Sequence, residues 1–319
     1  MNMKNDRVIA VIYFIAGAMC VLAALNYFRH TNRRIALGAL MLCAAAAVII
    51  AGVVWIKKNA AAKAASKIRT GGWNGGIEAD GNEKYLLSTP LLDFNSEEIK
   101  ALVLMKGWKD AEESARIRRI YTFVRDNVDF GFNLNDYMPA SKILHDGYGQ
   151  LNNKAVVFAA LLRACSVPCR IHAYMAEKIL LDGILGGFFF DKAPQKLLCM
   201  RVEVHSGGRW IETDAFALDK KYLDCLRDIN PDVSDEFYGY GFAEKNFQNI
   251  GTDWTGENAS VLSRAFTEDL GVFASPDELL DERTQPLRGA KAVLYSFAVR
   301  HFMNKNIKKI RESAPEEQE

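Results

Sequence analysis

The fold is decided by residues 147–170, which read GYGQLNNKAVVFAALLRACSVPCR. From about Asn152 to Cys165 this stretch is apolar on most sides, which predicts a helix buried in the centre of a domain. Pro168 ends the helical pattern, and the residues from there to Tyr174 predict a strand. The sequence therefore predicts a central helix that leads directly into a sheet.

A β-hairpin is predicted after this first strand. Leu198–His205 and Trp210–Asp214 have extended patterns, and the glycines of Ser206–Arg209 between them suit a tight turn. Before the central helix, two more helices are predicted. The first starts at Asn95, with Glu98 placed as in a capping box, and the second has apolar residues at helical spacing between residues 117 and 128.

Several motifs resemble the transglutaminase-like superfamily of papain-like thiol enzymes. The central helix of that family opens with G-Q-C or G-x-C, continues as A-L-L-R-A and ends in I-P-x-R. The corresponding segments here are Gly149–Leu151, Ala160–Ala164 and Val167–Arg170. Cys199–Val204 and Trp210–Asp214 are similar to the family's H-x-W-V-E-V and W-x-x-x-D segments. The resemblance implies an α+β domain whose central buried helix packs on an antiparallel sheet.

Carried onto this sequence, the family's catalytic triad falls on Leu151, Cys199 and Asp214. Leucine replaces the nucleophilic cysteine and cysteine replaces the histidine base, so that only the aspartate keeps its residue type. Loss of one triad member costs on the order of 10⁴–10⁶ in rate. The resemblance therefore predicts a pseudoenzyme that binds a polypeptide or a partner protein in the inherited cleft.

Two further residues are expected at the cleft. Gln150 should remain in the pocket at the helix start. Arg201 takes the position of the family's tryptophan and is expected to pair with Glu203, Glu212 or Asp214. Both are candidate binding residues.

Two alternatives remain open from the sequence. The first is an active thiol acyltransferase, amidase or protease-like enzyme rebuilt around Cys199, with His145, His172 or His205 as its base. The second is a structural membrane protein whose cleft is filled by Leu151.

No cofactor or metal is expected. Cys165, Cys169 and His172 have neither zinc-like spacing nor an evident fourth ligand.

Two uncharged stretches precede the globular region. Val8–Phe28 has 21 residues and Ile35–Ile56 has 22. Each is long enough to cross a bilayer core of about 30 Å as a helix, and together they predict a transmembrane hairpin over residues 1–58 rather than a cleaved signal peptide. The outer flanks carry seven basic residues and the hairpin loop carries three, which places the soluble domain in the cytoplasm.

The rest of the chain is slightly acidic. After residue 58 it has 33 basic and 38 acidic residues, which excludes the basic surface of a nucleic-acid-binding protein. The predicted organisation after the hairpin is a linker at 59–84, the transglutaminase-like core at 85–218, an extension at 219–312, and an acidic tail at 313–319. The extension is expected to end in a long helix from about Pro286 to Arg311.

Overall fold

A computed structural model of the chain describes residues 81–313. The predicted transmembrane hairpin, most of the predicted linker and the tail after Ser313 lie outside these residues. Among the described residues, no helix combines the length and the apolar character that a membrane crossing requires.

The described chain alternates helices with short and long strands. Its α-helices are α1 (Glu97–Lys106), α2 (Glu113–Asn127), α3 (Ala140–Asp146), α4 (Leu151–Ala164), α5 (Gly187–Lys192), α6 (Lys220–Asp228), α7 (Pro276–Glu282), α8 (Ala290–Leu294) and α9 (Arg300–Glu312). Its strands are β1 (Asp129–Phe130), β2 (Tyr148–Gly149), β3 (Cys169–Glu177), β4 (Lys196–Ser206), β5 (Arg209–Thr213), β6 (Phe237–Gly239), β7 (Phe242–Glu244) and β8 (Phe266–Phe273). Short 3₁₀ turns lie at Glu83–Leu86, Trp108–Asp110, Lys178–Leu181 and Ser263–Ala265.

The main sheet has four antiparallel strands in the order β5-β4-β3-β8. Cys169 pairs with Val204 at one end of the β3–β4 ladder, and Glu177 pairs with Lys196 at the other. Strand β8 comes from the segment predicted as a C-terminal extension, and it pairs with β3 over Ile171–Ala176. The four strands are thus contributed by residues on both sides of position 218.

Helix α4 forms the centre of the core. Every residue from Leu151 to Arg163 is buried, because the helix is enclosed by α2, α3 and the sheet. The sheet turns one face toward it, where alternate residues such as Ile171, Met200 and Val202 are buried. Each large apolar side chain buried here stabilises the fold by about 1.5–3 kcal/mol.

Arg163, in the A-L-L-R-A segment, joins the end of α4 to its surroundings. Its guanidinium donates hydrogen bonds to the carbonyl oxygens of Leu87, Cys169 and Ala274. These three groups belong to the N-terminal segment, the start of β3 and the loop after β8. A buried arginine with these partners fixes the helix exit relative to the sheet.

Two helix starts differ from the sequence prediction. The N-cap of α1 is Ser96 rather than Asn95, since the Ser96 hydroxyl accepts a hydrogen bond from the Ile99 amide. The last helix begins at Ala290 rather than near Pro286, directly after Gly289, whose positive φ of 59° is unsuited to a helix. A π-helical turn at Tyr295–Val299 joins α8 to α9.

Candidate functional site

Leu151 is the first residue of α4, where the sequence assigns the family's nucleophile. The Gln150 side chain caps the helix by accepting a hydrogen bond from the Asn152 amide. In such a position the helix N-terminus stabilises a thiolate. Leu151 instead presents only carbon atoms there, and its side chain is buried.

Asn152 fixes the start of α4 to strand β4. Its Nδ2 donates to the carbonyl oxygen of Leu198 at 2.8 Å, and its Oδ1 accepts from the backbone N–H of Met200 at 2.8 Å. These two bonds lie on either side of Cys199 in the strand. As a result, Leu151 and Cys199 line the same cavity.

A buried carboxylate, Asp136, lies beside this junction. It accepts hydrogen bonds from Gln150 Nε2 at 2.6 Å, Asn152 Nδ2 at 3.0 Å and Gln285 Nε2 at 2.9 Å. Burial raises the pKa of Asp136, although the three amide donors oppose this effect. Neither Asp136 nor Gln285 could be predicted from the sequence, because no motif marks the loop in which either residue lies.

The Cys199 thiol is poorly suited to act as a nucleophile. Its pKa is raised, first by burial and then by the negative charges of Asp214 and Asp136. Among the described residues, no hydrogen bond joins Cys199 Sγ to a histidine ring. His145 is exposed on α3, and His205 lies at the far end of β4 against the Trp210 ring. The third candidate base, His172, is held by carboxylates on the outer face of the sheet.

Asp214 is fully buried and does not line the cavity. Arg201 Nε lies 2.8 Å from its Oδ2, while Ser260 Oγ donates to Oδ2 at 2.6 Å and the Val261 amide donates to Oδ1 at 2.7 Å. Arg201 also pairs with Glu212 at 2.8 Å. Asp214 therefore holds Arg201 and the loop before β8 in place, and its contacts involve no imidazole.

The cavity at the start of α4 has a volume of about 420 Å³. This size falls within the range of about 300–1,000 Å³ that is typical of ligand sites. Its wall is mostly apolar and is built from the β1–α3 segment, α4, the α5 region and the last helix. Besides Leu151 and Cys199, it includes Phe132, Leu181, Phe189, Leu198, Tyr295 and Met303.

The residues considered for a metal from the sequence do not meet. Cys169 Sγ contacts the Ala159 carbonyl oxygen in α4, and Cys165 lies at the end of that helix. The His172 ring extends from the opposite face of β3, toward Glu203 and Glu212. His172, Glu203 and Glu212 bring one imidazole and two carboxylates together on three neighbouring strands.

Part of the chain is similar to known proteins. Residues 104–215 match the family model of the transglutaminase-like superfamily. A solved structure from Cytophaga hutchinsonii, provisionally assigned as a cysteine protease, matches with 21% identity and a TM-score of 0.31. The match covers 42% of each chain. No curated protein matches the sequence. Over residues 104–215 the chain is thus similar to the transglutaminase-like superfamily.

Proposed function

We propose that this protein is a catalytically inactive, membrane-anchored transglutaminase-like protein that binds an apolar segment of a partner polypeptide. The observation that supports this most directly is the presence of Leu151 at the start of α4, in the wall of a largely apolar cavity. The cavity lies beside the proposed nucleophile position, where the Leu151 side chain cannot form a covalent intermediate.

The neighbouring residues supply no substitute for the thiol–imidazole pair. Burial and two nearby carboxylates raise the pKa of Cys199 and keep its thiol protonated at neutral pH. Asp214 contacts Arg201, Ser260 and the Val261 amide instead of a base. These contacts argue against a rebuilt thiol enzyme centred on Cys199.

A binding role agrees with the apolar residues at the cavity. Leu134 and Leu294 both line it, yet they are 41% and 47% exposed. Large exposed apolar side chains around a concave site are typical of interaction surfaces. A polypeptide is the ligand we propose, since the resemblance is to enzymes that act on protein substrates. The volume beside Leu151 also argues against a purely structural protein with a filled cleft.

The membrane anchor and its orientation remain proposals based on the two apolar stretches before residue 58. If both ends of the hairpin are cytoplasmic, protease added to intact cells should spare the domain. The same protease should degrade it after the cells are permeabilised. Degradation in intact cells would overturn the orientation.

Site-specific crosslinking tests the binding role. A photoreactive amino acid at Leu134 should capture a defined protein in cells, whereas the same group at Leu104, an exposed residue of α1 outside the cavity, should not. Filling the cavity through Ala292→Trp or Leu151→Trp should abolish the Leu134 adduct. Binding in the cavity would be contradicted if Leu134 and Leu104 gave identical adducts. It would also be contradicted if the Leu134 adduct persisted in both filling variants.

Catalytic inactivity needs its own assay. We expect the purified full-length protein to show neither amine incorporation into a glutamine-containing protein nor amide hydrolysis above background. If either activity appears and Cys199→Ser removes it, the protein is an enzyme and this part of the proposal is wrong.

A further inference from the structure

The outer face of the main sheet, opposite α4, carries a compact group of ionisable side chains. His172 Nδ1 lies 2.9 Å from Glu203 Oε1 and 3.1 Å from Glu212 Oε1. The three potential ligand atoms lie within 4.8 Å of one another. The Tyr174 hydroxyl donates to Glu212 Oε1 at 2.9 Å and lies 3.2 Å from His172 Nδ1. The Tyr174 hydroxyl thus lies beside two of the three potential ligand atoms.

The groups around this point hold its side chains in fixed orientations. Arg170 pairs with Oε2 of Glu203, and Arg201 pairs with Oε2 of Glu212, so that each carboxylate turns its Oε1 toward His172. On the other side of the imidazole, Nε2 lies 2.9 Å from Asp269 Oδ1. Metal-binding histidines commonly donate their second N–H to a carboxylate in this way.

The local charge favours a divalent cation. The group contains four carboxylates, those of Glu203, Glu212, Asp214 and Asp269. The guanidinium groups of Arg170 and Arg201 pair with the first three, and Asp269 contacts the His172 ring. The excess of two negative charges equals the charge of one divalent ion bound to a neutral imidazole.

We propose that His172, Glu203 and Glu212 form a zinc site, with the Tyr174 hydroxyl or a water molecule as the fourth ligand. A nitrogen and carboxylate oxygens in a four-coordinate arrangement suit Zn²⁺. The ligands come from β3, β4 and β5, and Asp269 is on β8, so that a bound ion joins all four strands of the sheet. The Glu203 and His172 side chains are largely but not completely enclosed, which leaves a path for the ion. This site lies outside the cavity, and the inference does not depend on the proposed function.

The alternative is a permanently protonated His172 that makes ion pairs only. Calorimetric titration of the chelator-treated full-length protein with Zn²⁺ distinguishes the two. We expect one bound Zn²⁺ that is lost in Glu203→Gln and His172→Ala but retained in His145→Ala, the matched control on α3. Asp269→Asn leaves the ligands unchanged and should weaken binding about 10–100-fold.

Two measurements keep the test valid if a ligand variant folds poorly. The melting temperature of the wild-type protein should rise with Zn²⁺ concentration by mass action, and that of Asp269→Asn should rise less. Co²⁺ bound in place of Zn²⁺ should show visible absorption bands typical of nitrogen and oxygen ligands. It should show no thiolate-to-metal charge-transfer band. The proposal is overturned by absence of Zn²⁺ binding, by unchanged binding in His172→Ala, by thiolate bands, or by equal affinity for Mg²⁺.

Discussion

Asn152 Oδ1 accepts a hydrogen bond of 2.8 Å from the backbone N–H of Met200. The same side chain donates to the carbonyl oxygen of Leu198, so that one amide group satisfies two backbone groups of β4. The helix start and the strand are thereby held at a fixed distance. The shape of the cavity depends on this connection, because Leu151 and Cys199 are the residues on either side of it.

Replacing this amide should destabilise the domain. In Asn152→Ala the Met200 N–H loses its partner in a buried position, and we expect the free energy of unfolding to fall by about 1–3 kcal/mol. Urea denaturation of the variant measures the change. Asn249→Ala, at an exposed asparagine, serves as the control and should change stability little. Equal effects of the two substitutions would show that the connection to β4 is unimportant.

The triad assignment can be tested by restoring it. Leu151→Cys alone should give a thiol that reacts slowly with iodoacetamide at neutral pH, since Asp136 lies nearby and no base faces it. Adding Cys199→His should speed alkylation on the order of tenfold by lowering the thiol pKa. Mass spectrometry locates the modified cysteine.

The matched control for this pair is Leu151→Cys with Cys199→Ser. It should behave like the single variant, because serine cannot supply positive charge. If the single, control and histidine variants all react at one rate, residues 151 and 199 do not face each other as the assignment requires.

Lys154 should make stability depend on pH. Burial lowers its pKa to about 7, even though Asp219, Asp126 and Asp129 oppose the effect. Its Nζ donates to the Arg125 carbonyl oxygen at 2.9 Å. Between this folded-state pKa and the unfolded value of about 10.4, the unfolded chain binds more protons. The free energy of unfolding should therefore rise as the pH increases above about 7.

Lys154→Met removes this titration. Between pH 7 and 9 the free energy of unfolding of the variant should depend less on pH than that of the wild type. The stability of the variant relative to the wild type should be highest at pH 6. Urea denaturation at several pH values checks this. Lys100→Met, at an exposed lysine of α1, should keep the wild-type slope. Equal slopes in all three proteins would show that Lys154 titrates normally.

Arg163 should be sensitive even to a conservative change. Lysine cannot reproduce the planar array of donors that reaches Leu87, Cys169 and Ala274. We expect Arg163→Lys to lower the free energy of unfolding by about 1–3 kcal/mol for each carbonyl left without a partner. Arg209→Lys, at an exposed ion pair with Glu257, should cost less than about 1 kcal/mol. If Arg163→Lys lowered the free energy of unfolding less than this control does, the three carbonyl contacts would not require a guanidinium group.

The elements with regular patterns could be predicted from the sequence. The buried helix after Gln150, the strand after Pro168 and the hairpin around residues 206–209 all lie close to their predicted bounds. Each has a local cause, such as a continuous apolar surface, a proline or a pair of glycines. Strand β8 has no such signal, because Gly271 and two irregularities in its pairing with β3 interrupt the alternation.

The surroundings of the site could not be predicted in the same way. Asp136 and Gln285 lie 149 positions apart, and they meet beside Leu198 of β4, with whose backbone Gln285 forms two hydrogen bonds. The Glu203 and Glu212 carboxylates meet His172 through the register of three strands. Sequence patterns describe one segment at a time, and contacts of this kind depend on the whole sheet.

The position of β8 has a consequence for how the chain is made. Ile171 pairs with Phe273, a partner synthesised about 100 residues later, and such distant pairing slows folding. Until β8 emerges from the ribosome, β3 exposes a row of unpaired backbone groups that can capture strands of other chains. A polypeptide truncated after residue 215, where the family match ends, would keep that edge permanently open. Soluble expression of the domain therefore requires the chain to continue through β8.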